Sequence, residues 1–483
     1  MYINFLHKHF TPDDYAWYYT DKIDSLEIFS KDSRLVQGLF FTGMHNILGL
    51  NVIKYQQFWT VSSIFLLSCS CYVILALVRL SLPEPSHSYE TQALAVLSPI
   101  LIIFTLFSVE FFMFTVATFS YALSTLFVVL AIRVCVSGNS KKHNIGAFVL
   151  FLVSLFTYQL AAGLFIPLGL VFAYGKIQHV NKKFFMAVVR LSGIYGLGML
   201  VNYAYAVFIH PLFFSNTALS RIATTDLVST AIRNIPVVAH ALKEIIFHTY
   251  DMLPSYLLLL LVITLSGGIA YQCCFIKKRL SVLWLTIIVL FFLAICVMLP
   301  QFFAPPGQPT LPHSRTVAPL ASILGVMALV YTLYLRNSFQ KMDYVVLAVM
   351  LFWIFSVTGS VHSLSKDQLL VNKVDHEIAK AVVGEIEAQE KKLGTVVRNI
   401  AYTHDLSTPE TYENIYTHHS TNKRALRVPW SITQVLRYVS DRNFQLVDMP
   451  TTIFKQHFQG KNWDYFASEQ IVVIGDTAYL AIY

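Results

Sequence analysis

Apolar runs of about twenty residues follow one another from residue 58 to residue 361. A helix rises about 1.5 Å per residue and a bilayer core is about 30 Å thick, so each run matches one crossing. The pattern predicts spans near 58–80, 93–112, 115–135, 184–208, 255–275, 281–300, 318–335 and 343–361. The run 145–175 is too long for one simple span and carries the polar pair Tyr158-Gln159 at its centre, which predicts two short helices meeting there. The total is about ten transmembrane helices.

The flanks differ in character. Residues 1–33 are polar and aromatic and lack the apolar core of a cleavable signal peptide. Residues 34–48 predict an amphipathic helix lying on the membrane, with Leu35, Leu39, Met44 and Leu48 toward lipid and Arg34, Gln37 and Asn46 toward water. Beyond residue 361 polarity returns. Residues 366–391 have helical periodicity, with Leu369, Leu370, Val374, Ile378, Val382 and Ile386 on one face. Residues 395–401 and 471–474 read as strands, and Gly475-Asp476 turns the second into 478–482 as a hairpin. The chain divides into a segment 1–57, a transmembrane domain 58–361 and a small α/β unit 362–483.

Composition agrees. The 483 residues are 55% hydrophobic and only 13% charged, which places the chain among polytopic membrane proteins. The formal charge of +8 belongs to loops and does not imply nucleic acid. Lys141-Lys142, Lys176 with Lys182-Lys183, Lys277-Lys278-Arg279, and Arg336 with Lys341 mark four basic loops, which fall on one side in the ten-span count. That side is the cytoplasm by the positive-inside rule. Segment 1–57, the turn at Glu110, the loops 209–254 and 301–317 and the tail 362–483 then all lie outside. The six cysteines sit in or beside apolar spans, so no disulfide framework is expected.

Candidate chemistry gathers at that outer side. Thr11-Pro12-Asp13-Asp14 puts two adjacent carboxylates at a water boundary, where charge is cheap compared with the bilayer interior. The same residues also fit a helix start, with Thr11 as N-cap, Pro12 at the first helical position and acids in the first turn. Glu110 lies in an apolar stretch at a turn, where it faces either a site or solvent. The loop 304–315 is stiff with proline and ends in His313-Ser314-Arg315, and an arginine there can grip a phosphate through parallel hydrogen bonds. Tyr158 and Gln159 offer hydrogen-bonding groups where two helices meet, either to a substrate or to one another's helices. No metal-ligand spacing, Walker motif or nucleophile elbow is present, and neither a metal nor a cofactor is expected.

The order of these features resembles the serotype-converting, phage-type O-antigen glucosyltransferases, a bacterial family of GT-C architecture. The features are Pro12-Asp13-Asp14-Tyr15, the stretch Ser33-Arg34-Leu35-Val36-Gln37-Gly38-Leu39, the pair Tyr158-Gln159, the outer loop ending in Ser314-Arg315, and Lys366-Asp367-Gln368 opening the tail. The resemblance implies a GT-C-like, multi-pass inner-membrane enzyme with a periplasmic active site and a small α/β periplasmic C-terminal domain. It implies an undecaprenyl-phosphate-glucose donor, a lipid-linked O-antigen acceptor and inversion at C1. Asp13 and Asp14 map onto the family's acid pair and Arg315 onto its outer-loop arginine. Glu110, Tyr158, Gln159, His313 and Arg315 are the expected substrate-binding residues. An unperturbed aspartate, of pKa near ~3.9, is already a base at neutral pH and can take the acceptor hydroxyl's proton. One acid serves as base and the other positions the acceptor or an ion. Members usually carry a transmembrane helix ahead of the acid pair. Here only a short stretch precedes Asp13, so such a helix either belongs upstream of Met1 or is dispensed with. Two other classes fit an apolar multi-span chain, a flippase for lipid-linked sugars and an O-antigen polymerase. A flippase requires ionisable groups within spans and repeat symmetry, which this pattern lacks.

Overall fold

The structure is a computed structural model and describes residues 2–19, 26, 29–30, 32–82, 89–213, 226–304, 314–335, 340–404, 424–463 and 465–482. It is mostly helical. Among the described residues, eight helices are long and apolar enough to cross a membrane: Gln56–Ser81, Thr115–Ser137, Gln159–Ile177, Lys182–Phe213, Leu257–Ile276, Leu280–Phe302, Ser314–Tyr334 and Lys341–Leu393. The pair Tyr89–Ile103 and Leu106–Met113, bent by 46°, makes a ninth when taken as one span. The sequence pattern predicts ten. The difference is Lys141–Thr157, whose 17 residues reach only about 25 Å, short of a ~30 Å hydrocarbon core.

That short helix ends where the polar pair interrupts the apolar run. Tyr158 has extended backbone (φ −162°, ψ 112°), and Gln159–Leu164 continues as a 3-10 turn before Phe165–Ile177. The break does not strand its backbone groups. Tyr158 N donates to Ser154 O at 2.8 Å, and Ser124 Oγ donates to Tyr158 O at 2.6 Å. Unpaired backbone groups at this depth would be costly, so the serine is what makes the break tolerable.

The bundle packs around one large apolar core. At Gly325 one helix meets another backbone to backbone, and a Cβ there would lie 2.8 Å from the Ile102 nitrogen. A second core has a different composition. Phe10, Tyr15, Phe29, Phe41, Ile53 and Trp59 pack with Val371, Ile378, Val382, Ile400 and Leu436. The amino-terminal segment and the tail therefore bury one another.

The interfacial helix forms over Leu35–Leu48 and ends at Gly49, whose φ of 66° suits a left-handed C-cap. Leu39, Ile47 and Leu48 point outward, as an interfacial face requires. Gln37 does not face water as expected. It is buried, and its Nε2 donates to Val116 O at 3.3 Å.

The last span does not stop at residue 361. A single helix runs over Gln340–Leu393, 54 residues, or about 80 Å at ~1.5 Å per residue. Hydropathy falls part-way along it, but the segment contains no proline to break the backbone. Beyond it lies a four-stranded sheet of β1 (Asn399–His404), β2 (Gln445–Leu446), β3 (Ile471–Ile474) and β4 (Thr477–Ile482), in the order β2-β1-β4-β3. β1 pairs in parallel with β2 and β4, and β3–β4 is the expected antiparallel hairpin, turned at Gly475 (φ 65°). Helix Ile432–Ser440 packs on the long helix and on Pro12–Tyr19.

Candidate active site

The acid helix spans Pro12–Tyr19. Thr11 and Asp14 lock its first turn. Asp14 Oδ2 accepts from Thr11 N at 2.7 Å and Thr11 Oγ1 at 2.8 Å, and Asp14 N donates back to Thr11 O at 3.0 Å. This is half of a capping box: the acid reaches back to Thr11 N, while the Thr11 hydroxyl donates to the same carboxylate instead of capping a helix N–H as expected. Asp14 is only 1% exposed, and burial pushes its carboxyl up to about 8, against the pull of the two Thr11 hydrogen bonds. Largely protonated at neutral pH, it departs from the expectation of a ready base. Asp13 is exposed, and its Oδ1 accepts from Trp430 Nε1 at 2.9 Å.

Side chains of the long helix clamp this segment. Phe10 N donates to Asn372 Oδ1 at 2.8 Å, while Asn372 Nδ2 and Gln368 Nε2 donate to Phe10 O at 2.8 and 2.7 Å. Tyr15 pairs with His376 across 2.7 Å. On the other flank His9 Nε2 donates to Phe112 O at 2.9 Å, and Gln56 joins His9 N (3.1 Å) to Thr115 Oγ1 (2.7 Å). Burial pushes the His9 imidazole below its usual pKa, favouring the neutral ring.

Glu110 lies in the short helix Val109–Met113, just past the bend. It is fully buried, not a solvated turn residue. Its carboxylate accepts from the Ser314 hydroxyl and from Arg315 N at 2.8 Å, and the Arg315 guanidinium stands 3.5 Å away. The guanidinium also lies 4.0 Å over the Phe114 ring. A buried carboxylate is tolerable only when paired and hydrogen-bonded in this way.

Tyr158 and Gln159 meet the start of the interfacial helix. The Arg34 guanidinium lies 4.3 Å over the Tyr158 ring, and Arg34 Nε donates to Gln159 Oε1 at 3.3 Å. Gln159 Nε2 donates to Asp32 O at 2.6 Å, and the Asp32 carboxylate stands 4.0 Å from Arg34. Arg34 thus leaves the water-facing role expected of it, because an aromatic ring and an amide wait at the helix break.

Two pairs are therefore brought together, Glu110 with Arg315 and Tyr158 with Gln159. Phe111 links them, its ring 5.5 Å from that of Tyr158. The acid pair stands apart, hydrogen-bonded to Thr11 and Trp430, and the segment ahead of it meets the bend through Tyr2, Phe5 and His9. His313 lies outside the described residues. Trp430 and Asp32 were not singled out by the sequence, and Ser314 only as part of the outer-loop motif. Ser314 adjoins a chosen arginine, but no local pattern marks Trp430.

An acid helix outside the candidate spans, an ion pair at a helix bend and an aromatic polar unit are thus carried on one multi-span bundle. The family described as Glucosyl transferase GtrII matches residues 5–332, more than half of the chain, and the chain belongs to that family. It is an enzyme, a membrane glycosyltransferase that moves glucosyl groups, and the flippase reading falls away. The matched residues include the acid pair, Glu110, the Tyr158-Gln159 break and Arg315. No curated protein and no solved structure matches the chain.

Proposed function

We propose that the enzyme transfers glucose from undecaprenyl-phosphate-glucose to lipid-linked O-antigen repeat units at the periplasmic face of a bacterial inner membrane, changing the O-antigen serotype. The observation that supports the sidedness is that the basic residues of the short loops gather at one end of the bundle. At one end Lys176 donates to Val136 O, Arg190 to Gly138 O, and Arg279 to Tyr334 O. At the other end lie Gln56, Thr115, Gln159 and Ser314, with the acid helix beside them. The positive-inside rule supports assigning the first end to the cytoplasm. This reading counts Lys141–Thr157 and the bent pair as crossings, ten in all, and places segment 1–57 and the unit beyond residue 361 in the periplasm.

In the reaction the acceptor oxygen bonds to glucose C1 as the C1–phosphate oxygen bond breaks, with inversion. The hydroxyl proton passes to a carboxylate, and undecaprenyl phosphate leaves. Asp13 is the member of the pair that an acceptor can reach, and its exposure supports it as the base. Asp14, buried and bonded to Thr11, holds Asp13 in place. Arg315, fixed by Glu110 and Phe114, supplies positive charge for the leaving phosphate, and Glu110, Tyr158, Gln159 and His313 shape the donor side. Comparison of O-antigen composition in cells with and without the gene tests this. Added glucose on the repeat unit is expected, and identical O-antigen in both would contradict it.

A further inference from the structure

We propose that Trp430, with Asp13, forms the subsite for the acceptor saccharide. This rests on the glucosyl-transfer reading above. Trp430 is 61% exposed, yet its ring is fixed, because Nε1 donates to Asp13 Oδ1 at 2.9 Å. An indole held by its edge in this way leaves a face open. Sugars present C–H faces that cover aromatic rings and hydroxyls that donate to carboxylates, and Trp430 and Asp13 offer those two groups side by side. Asp13 Oδ2 has no hydrogen-bond partner among the described residues and is available to an acceptor hydroxyl.

The loop that carries Trp430 is built for rigidity. The buried Arg424–Asp375 pair (3.2 Å) and the bond from Ala425 N to Asp375 Oδ2 (2.7 Å) tie it to the long helix. Ser431 N donates to Val428 O at 3.0 Å, and the Ser431 hydroxyl to Ala425 O. The helix that follows packs on the acid helix. The Tyr438 ring lies 5.3 Å from that of Tyr18, and the Arg437 guanidinium 4.2 Å over Tyr19. Trp430 and Asp13 are thus pre-positioned relative to each other, which lowers the ordering cost of binding.

The test uses the purified full-length chain in detergent, with lipid-free O-antigen polysaccharide lacking glucosyl side branches as probe and dextran as control. Trp430 is oxidised with N-bromosuccinimide, and its modification is followed by mass spectrometry with and without saccharide. Protection of Trp430 by the polysaccharide is the expected result. Trp430→Ala is expected to raise the acceptor KM and weaken polysaccharide binding at least about tenfold, the size of a hot-spot aromatic, with donor KM little changed. Trp430→Phe keeps a stacking ring and should lose much less. Protection by dextran but not by O-antigen would leave the saccharide subsite standing and remove the O-antigen reading. No protection by either saccharide, or an unchanged acceptor KM in Trp430→Ala, would reduce the residue to a latch.

Discussion

The Glu110 carboxylate is fully buried and sits 3.5 Å from the Arg315 guanidinium, closing the bend after Ile103 against the start of the span Ser314–Tyr334. The pair gives Arg315 a fixed direction, and removing either partner has a different signature. Glu110→Ala strips the acceptor from the Ser314 hydroxyl, the Arg315 amide and the guanidinium together. Breaking a buried pair costs on the order of 3–5 kcal/mol, so a lowered Tm in detergent and a reduced membrane level are expected.

Arg315→Ala is expected to raise the donor requirement more than it lowers the protein level, because the arginine side chain is 18% exposed and can still reach a phosphate. Arg315→Lys should rescue only in part, since an ammonium lacks the fork and the flat face that covers Phe114. Transfer measured at limiting donor checks both. Full activity of Arg315→Ala under that condition would leave the arginine a purely structural partner of Glu110.

Arg34 ties the interfacial helix to the bundle through the Tyr158 ring and Gln159. Tyr158→Phe keeps the ring and should be silent. Tyr158→Ala removes a contact worth about 0.5–2 kcal/mol, and is expected to make the segment before Leu35 more sensitive to protease. Equal protease sensitivity in the alanine variant and the wild type would show that the contact does not anchor the helix.

Asp14 makes stability depend on pH in a stated direction. Its folded carboxyl is raised to about 8, above an ordinary ~3.9, so folding favours the protonated form. Its contribution is fully present below the unfolded value and is lost as pH rises through about 8. Wild-type Tm should therefore fall between about pH 4 and about pH 8, and level off above that, relative to Asp14→Asn, which mimics the neutral acid. Parallel curves for the two proteins over that range would contradict the assignment.

Much of the fold was legible because its signals are local. The hairpin over β3 and β4 follows from alternation and a glycine turn, and the helix break follows from a polar pair inside an apolar run. Thr11 and Pro12 likewise marked the start of the acid helix. What the sequence hid depends on distant partners. Asp14 is neutralised by burial in a core completed by residues beyond Val371, and Trp430 meets Asp13 across 417 positions. The long helix Gln340–Leu393 runs past the expected domain edge because hydropathy reports the solvent around a helix, not its continuity. Gln37 and Arg34 looked water-facing by periodicity alone. The bundle supplies Val116 and Tyr158 as their partners.

The central claim is that Asp13 takes the acceptor proton while Asp14 holds the helix start. O-antigen glucosylation in cells carrying Asp13→Asn or Asp14→Asn, at matched membrane protein levels, tests it most directly, because asparagine keeps the shape and caps a helix about as well as aspartate. Asp13→Asn cannot accept the proton, and transfer should fall by about 10²-fold or more. Asp14→Asn should retain most activity. Near-normal glucosylation with Asp13→Asn, or loss confined to Asp14→Asn, would contradict the account.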